Sequence, residues 1–120
     1  MNTTEAPMKF VEKGWGHELW ICNGPEYCGK LLYMIGGKKL SWHYHILKDE
    51  VFYIQSGKVR LVYGDTDDMT LAKEIILNPG QNFHVYRGLR HRLYALENSE
   101  IFEFSTQHFD SDSIRVEKGD

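Results

Sequence analysis

The stretch Gly37-Lys38-Lys39-Leu40-Ser41-Trp42-His43-Tyr44-His45-Ile46-Leu47-Lys48-Asp49-Glu50, closed by Gly57 after six intervening residues, decides how the rest of this chain is read. Successive side chains of a strand point to opposite faces, so His43 and His45 share one face and Trp42 and Tyr44 the other. Two imidazoles projecting side by side make a chelating pair. Glu50 follows a four-residue turn at the start of the next predicted strand, where its carboxylate returns beside them. Such a mixed nitrogen and oxygen set suits one divalent ion of the borderline kind, Zn, Mn, Fe or Ni. A single histidine is weak evidence and a single glutamate weaker. The joint spacing inside bracketing glycines carries the reading.

A second stretch, Gly80-Gln81-Asn82-Phe83-His84-Val85-Tyr86-Arg87-Gly88-Leu89-Arg90-His91, supplies a third imidazole. Gly80 opens a strand after Asn78-Pro79, and Gly88 makes the turn before His91. A ligand arriving from so distant a strand is what a barrel interior provides and a single hairpin cannot. The predicted ligands are therefore His43, His45, Glu50 and His91, with His17, His84 and His108 read as surface or satisfied core residues.

Outward from these stretches, Gly, Asn, Asp and Pro clusters cut the chain into short apolar runs. Strands are predicted at Gly16 to Cys22, Tyr27 to Ile35, Lys39 to His43, Glu50 to Ser56, Lys58 to Tyr63, Leu71 to Leu77, Gln81 to Val85, His91 to Leu96 and Glu100 to Ser105. No window of eleven or more residues holds a clean helical period. Short strands with tight turns, rich in aromatic and β-branched residues, indicate an all-β sandwich or barrel. The barrel core is expected over about 15–106, with the N-terminal dozen residues and the tail after Phe109 peripheral. The acidic run Gly64 to Met69 lacks the spacing of a calcium loop and reads as a solvated hairpin tip.

The length of 120 residues fits one domain. Hydrophobic residues at 42% and charged residues at 26% match an ordinary folded protein, and a net charge of −3 with scattered Lys and Arg excludes a nucleic-acid stripe. No apolar run is long enough to span a membrane, and the first residues lack a secretory h-region, so a cytoplasmic setting is expected. Cys22 and Cys28 flank a turn-like segment and would bridge in an oxidising compartment; two half-buried thiols are the favoured reading.

The first stretch resembles the first cupin motif, G-x5-H-x-H-x4-E-x6-G, at every fixed position: Gly37, His43, His45, Glu50 and Gly57. The second cupin motif, G-x5-P-x-G-x2-H-x3-N, is met at Gly80, Gly88 and His91, with Tyr86 in place of Pro and Ala95 in place of Asn. The resemblance implies a single-domain cupin, a double-stranded β-helix or jelly-roll barrel. A closer resemblance runs through Lys13-Gly14-Trp15-Gly16, Lys30, Leu40-Ser41 and Gly88-Leu89-Arg90-His91-Arg92-Leu93, with a looser one in Asp112 to Glu117. These segments are similar to the cupin domain of type II mannose-6-phosphate isomerases, many of which carry Gln where this chain has His43 and often have that domain fused to a nucleotidyltransferase, which is not expected in this chain.

That resemblance implies a sugar or sugar-phosphate isomerase or epimerase whose metal is a Lewis acid, with Lys30 and Glu50 as catalytic residues. Lys30 shares strand parity with Leu32 and Met34 and is expected to face the interior. Lys39 and Ser41 share the face of the histidines, and with Lys30 and Arg115 form the expected substrate-binding set. A non-catalytic sugar- or small-molecule-binding module and an Fe(II) dioxygenase remain open as alternatives, because fold does not determine activity. A homodimer is expected through an aromatic face at Trp42 and Tyr44.

Overall fold

The computed structural model describes residues 4–120; positions 1–3 of the N-terminal segment lie outside them. The described residues form two antiparallel sheets. Strands β1 (Lys9–Lys13), β2 (Gly16–Asn23), β3 (Cys28–Met34), β10 (Ser99–Ser105), β5 (Glu50–Ser56) and β8 (Asn82–Val85) lie side by side in that order. The second sheet runs β11 (Ile114–Glu117), β4 (Trp42–Tyr44), β9 (Arg90–Ala95), β6 (Val59–Gly64), β7 (Lys73–Leu77). Single 3-10 turns at Met69–Leu71 and Asp110–Asp112 are the helical elements. No helix of the described residues is long and apolar enough to cross a membrane. This is the all-β, single-domain architecture read from the strand periods.

Alternation sets the core. Along β3 the even positions Cys28, Lys30, Leu32 and Met34 are buried while the odd ones face outward. Met34, Ile54, Val59, Leu61, Leu93 and Ile101 meet between the sheets with no exposed surface, each burial contributing about 1.5–3 kcal/mol. Gly57, the closing glycine of the first motif, has φ +85°, and a Cβ there would collide with Ser99 and the Asn98 carbonyl. Only glycine fits that turn, which carries the chain from β5 in one sheet to β6 in the other.

Several expectations change. Strand β4 begins at Trp42 rather than Lys39, which makes only an isolated bridge to Tyr94. The terminal segments, expected outside the barrel, are partly built into it: β1 extends one sheet through β2, and β11 pairs with β4. The fold therefore spends its tail on covering the edge of the strand that carries the histidines. Trp42 is buried at 1% exposure, its indole N–H donated at 2.9 Å to the carbonyl of Asp67. The acidic loop is the exposed β6–β7 hairpin tip that was expected, and it also reaches Trp42 through the Asp67 carbonyl; the Asp67 carboxylate pairs with Arg90, which lies 3.6 Å over the Tyr44 ring. The aromatic face proposed for dimerisation is already occupied by the chain itself. Cys22 and Cys28 are free thiols.

Candidate metal centre

Register brings the imidazoles together. Tyr63 pairs with His91, His91 with His43, and His43 with Arg115, across β6, β9, β4 and β11. Directly opposed residues project from the same face, so this row lines the barrel interior. His45 lies just past the end of β4 and turns back to the row. Ring centroids stand 4.3 Å apart for His43 and His91, 5.0 Å for His43 and His45, and 5.5 Å for His45 and His91. The three histidines form a group whose ligand atoms all lie within 4.8 Å of one another, able to hold a metal ion.

Each ring is oriented by the backbone. His43 Nδ1 lies 2.9 Å from the Ser41 carbonyl, His45 Nδ1 3.1 Å from that of Asp112, and His91 Nδ1 2.8 Å from that of Leu89. A carbonyl only accepts, so every Nδ1 carries the hydrogen and every Nε2 presents a lone pair. Glu50 closes the set: its Oε1 stands 3.0 Å from His91 Nε2 and 3.7 Å from His45 Nε2. In this tautomer, lone pairs of His91 and Glu50 face each other with no proton between them. Glu50 Oε1 and His91 Nε2 are buried without a hydrogen-bond partner among the described residues, whereas Glu50 Oε2 faces the Lys48 ammonium at 3.2 Å. Buried, unpartnered acceptors converging on one point are costly alone and are relieved by a cation. The donor set fits a divalent metal.

Burial holds His43 well below the usual histidine range, helped by the adjacent His91 and His45, and takes His45 down to about 4 against the pull of Glu50. Neutral imidazoles are the form a metal needs. Burial alone would raise Glu50; the Lys48 ammonium beside it outweighs that and holds the carboxylate ionised, well below its ordinary range.

The opposite wall of the cavity is built from paired charges. Lys48 is buried, donating to Glu103 at 2.8 Å and to His108 Nδ1 at 3.1 Å, with Glu50 Oε2 at 3.2 Å. Burial would lower Lys48, but Glu103 and Glu50 together raise it above the ordinary lysine range, so it stays a cation. Glu103 is pushed up, by burial first and then by Glu50, with Lys48 opposing. Lys30 faces the interior as its parity indicates, but it is not a free charge. Its ammonium lies 3.5 Å from Glu18 and 4.3 Å over the Trp20 ring.

These walls enclose a cavity of about 170 Å³ that reaches His43, His45, Glu50, Lys30, Ser41 and Arg115. Ser41 Oγ sits 3.0 Å from His43 Nδ1. Lys39 lies away from the cavity lining, its ammonium 3.2 Å from the Asp120 carboxylate. His84 is exposed and paired with Asp49, and His17 stacks on Tyr33, both apart from the site. His108, read as a bystander, lines the cavity. Lys48, Glu103 and Asp112 were not singled out from the sequence. Lys48 sits between motif positions, and nothing in one sequence marks Glu103 or Asp112 as its neighbour or as a partner of the histidine loop.

A cupin domain family model matches residues 30–105, and the chain belongs to this family. No curated protein matches in sequence. Among solved structures, the capsular polysaccharide assembling protein CapF of Staphylococcus aureus superposes with a TM-score of 0.81 at 16% identity, covering 96% of this chain and 33% of that one. KdgF of Halomonas sp. gives 0.71 at 19% identity, covering 92% of this chain and 95% of that one. Oxalate decarboxylase of Bacillus subtilis, which has Mn(II) centres, gives 0.77 at 15% identity, covering 90% and 30%. The chain spans about a third of the CapF and oxalate decarboxylase chains. At these identities the likeness is one of fold.

Proposed function

We propose that this cupin binds one divalent metal through His43, His45, Glu50 and His91 and uses it to isomerise or epimerise a sugar or sugar phosphate. The observation that carries the reading is the convergence of three backbone-tethered imidazoles and Glu50 Oε1 at the end of a polar cavity, with His91 Nε2 and Glu50 Oε1 buried and without a hydrogen-bond partner. Mn(II) in the structurally similar oxalate decarboxylase supports a divalent ion in such a barrel. The choice of sugar chemistry rests on the motif resemblance to mannose-6-phosphate isomerases. A bound metal supplies Lewis acidity toward a carbonyl oxygen.

The chain's own residues have separate roles in this reading. Lys48 occupies Oε2 of Glu50 and leaves Oε1 toward the histidines, which favours binding through a single oxygen. Arg115, next to His43 in the register, is the exposed cation at the mouth and meets an anionic substituent of the substrate. Ser41 orients His43 and borders the substrate. Lys30, held by Glu18 and Trp20, contributes fixed positive potential near developing negative charge rather than a mobile phosphate clamp. Glu103, whose carboxyl is raised by burial, is the group suited to exchange a proton with a carbon acid, the role a general base requires.

Incubation of metal-loaded protein with mannose 6-phosphate and fructose 6-phosphate in deuterated water tests this. Deuterium is expected at the carbon beside the carbonyl, and none with His91→Ala. Sugar binding at the metal without exchange would replace the isomerase by a binding module, and oxygen consumption with Fe(II) would replace it by a dioxygenase.

The partner in this reading is a second copy, joined through the outer face of the six-stranded sheet. Register lines up Phe10, Leu19, Leu31, Phe102 and Tyr53 across β1, β2, β3, β10 and β5, with Phe104 beside them at 54% exposure. A contiguous apolar row of this kind marks an interaction surface more than a monomer exterior. Light scattering is expected to give twice the 14.0 kDa chain mass, and the monomer mass alone would remove the dimer.

A further inference from the structure

The C-terminal segment crosses the mouth of the barrel as a strap held at both ends. At its start the His108 N–H donates to Asn23 Oδ1 at 2.8 Å, and the Asn23 amide returns a bond to the His108 carbonyl at 3.0 Å. At its end buried Arg92 donates to the Leu40 carbonyl at 2.7 Å, to the Glu117 carboxylate at 2.9 Å and to the Lys118 carbonyl at 2.8 Å. Between these anchors, the turn at Asp110–Asp112 presses Asp112 into the protein at 6% exposure.

Asp112 meets the ligand-bearing loop with both its side chain and its backbone. Its Oδ1 accepts the N–H groups of Ile46 and Leu47, each at 2.9 Å, and its Oδ2 accepts that of Lys48 at 3.0 Å. Its carbonyl accepts from His45 Nδ1 at 3.1 Å. The loop so gripped, 46–49, is the four-residue turn between His45 and Glu50. A loop with several consecutive N–H groups has no regular partner for them, and a carboxylate bonded to three of them defines one conformation.

We infer that Asp112 is the positioning residue of the metal centre: it sets the distance between His45 and Glu50 and the plane of the His45 ring. The strap thereby couples the tail to the metal. Outer contacts of this sort hold ligands within the narrow tolerance that metal geometry demands. The inference rests on the metal-site reading above, and the experiment separates the two.

Wild-type protein, Asp112→Ala, Asp112→Asn and Glu117→Ala are titrated with Co(II) and Zn(II) by calorimetry, with visible spectra of the Co(II) forms and melting curves of the metal-free forms. Wild type is expected to bind one Co(II). Asp112→Ala is expected to lose about 10–100-fold in affinity, as an outer-partner change does, and to shift the Co(II) absorption bands. Asp112→Asn, which keeps an acceptor oxygen, should restore most of the wild-type spectrum. Glu117→Ala loosens the strap away from the loop and should lower the melting temperature while leaving the spectrum unchanged. A wild type that binds no metal overturns the metal-site reading itself. A wild type that binds, with Asp112→Ala matching its affinity and spectrum, overturns the positioning role alone. A spectrum shifted as much by Glu117→Ala as by Asp112→Ala also overturns it, because general loosening would then suffice.

Discussion

The two walls of the cavity handle polarity in opposite ways. On the five-stranded sheet, His43 and His91, joined by His45, give their Nδ1 hydrogens to backbone carbonyls and keep their Nε2 lone pairs unpartnered. On the six-stranded side, Lys48 with Glu103 and His108, and Lys30 with Glu18, use their charges on one another. One wall is unsatisfied and poised for a cation; the other is satisfied and supplies a fixed field. Glu50 belongs to both, with Oε1 toward the histidines and Oε2 toward Lys48. The difference teaches that a buried polar cluster signals ligation where its acceptors lack partners, not where it is merely charged.

The sharpest way to break this comparison is to remove a ligand from the unsatisfied wall. His91→Ala is expected to abolish measurable metal binding, well beyond the about 10–100-fold that an outer partner costs. Elemental analysis after dialysis and calorimetric titration would read it. In the wild type, added metal should raise the melting temperature with concentration, and this shift should vanish in the variant.

On the satisfied wall the expected effect is on stability. Lys48→Met leaves the Glu50 and Glu103 carboxylates buried without their shared cation, which should cost about 3–5 kcal/mol. Denaturant unfolding of the metal-free protein checks this. The double change Lys48→Met with Glu103→Gln removes one carboxylate as well and should recover part of the loss. If the double variant is no more stable than the single one, the charges were not compensating each other.

Acid should separate the walls next. His45 titrates at about 4 in the folded protein against about 6.5 unfolded. The unfolded chain therefore binds more protons across this interval, and stability is complete above about 6.5 and falls as the pH drops toward 4. The loss from His45 is about 3 kcal/mol, and His43, also depressed, adds in the same direction. Urea midpoints of the metal-free protein between pH 7 and 4 would show the decline. A flat profile would mean that the histidines are not held neutral by burial.

The smallest effect is expected at the mouth. Arg115→Ala should change folding stability by no more than about 0.5 kcal/mol, the usual range for an exposed side chain, and leave metal affinity alone. Binding of an anionic sugar should weaken while that of its neutral counterpart holds. Equal weakening of both would remove the anion-contacting role.

The cluster of His43, His45, Glu50 and His91 was legible because its signal is local. A period of two places His43 and His45 on one face, a short turn returns Glu50, and Gly57 is required by a backbone that tolerates no Cβ. The inward direction of Lys30 was legible for the same reason, but its pairing with Glu18 was not, since parity says where a side chain points and not whom it meets. Lys39 shared the parity of the histidines yet lies before β4 begins, where strand alternation no longer governs direction. Trp42 was assigned correctly to the opposite face, but the loop that buries it returns from some twenty-five residues away.

The amino-acid sequence by itself determined the all-β class, the family, and which histidines and glutamate converge, because strand periodicity and motif spacing act over a few residues. Tertiary structure decided the rest: that Lys48 shares Glu50 with the histidines, that Glu103 and His108 complete the opposite wall, and that Asp112 accepts the N–H groups of the 46–48 loop. Those partners are 55, 60 and 64 residues from Lys48 along the chain. Contacts over such separations are set by which strands lie side by side and in what register, and a single sequence carries no local mark of either.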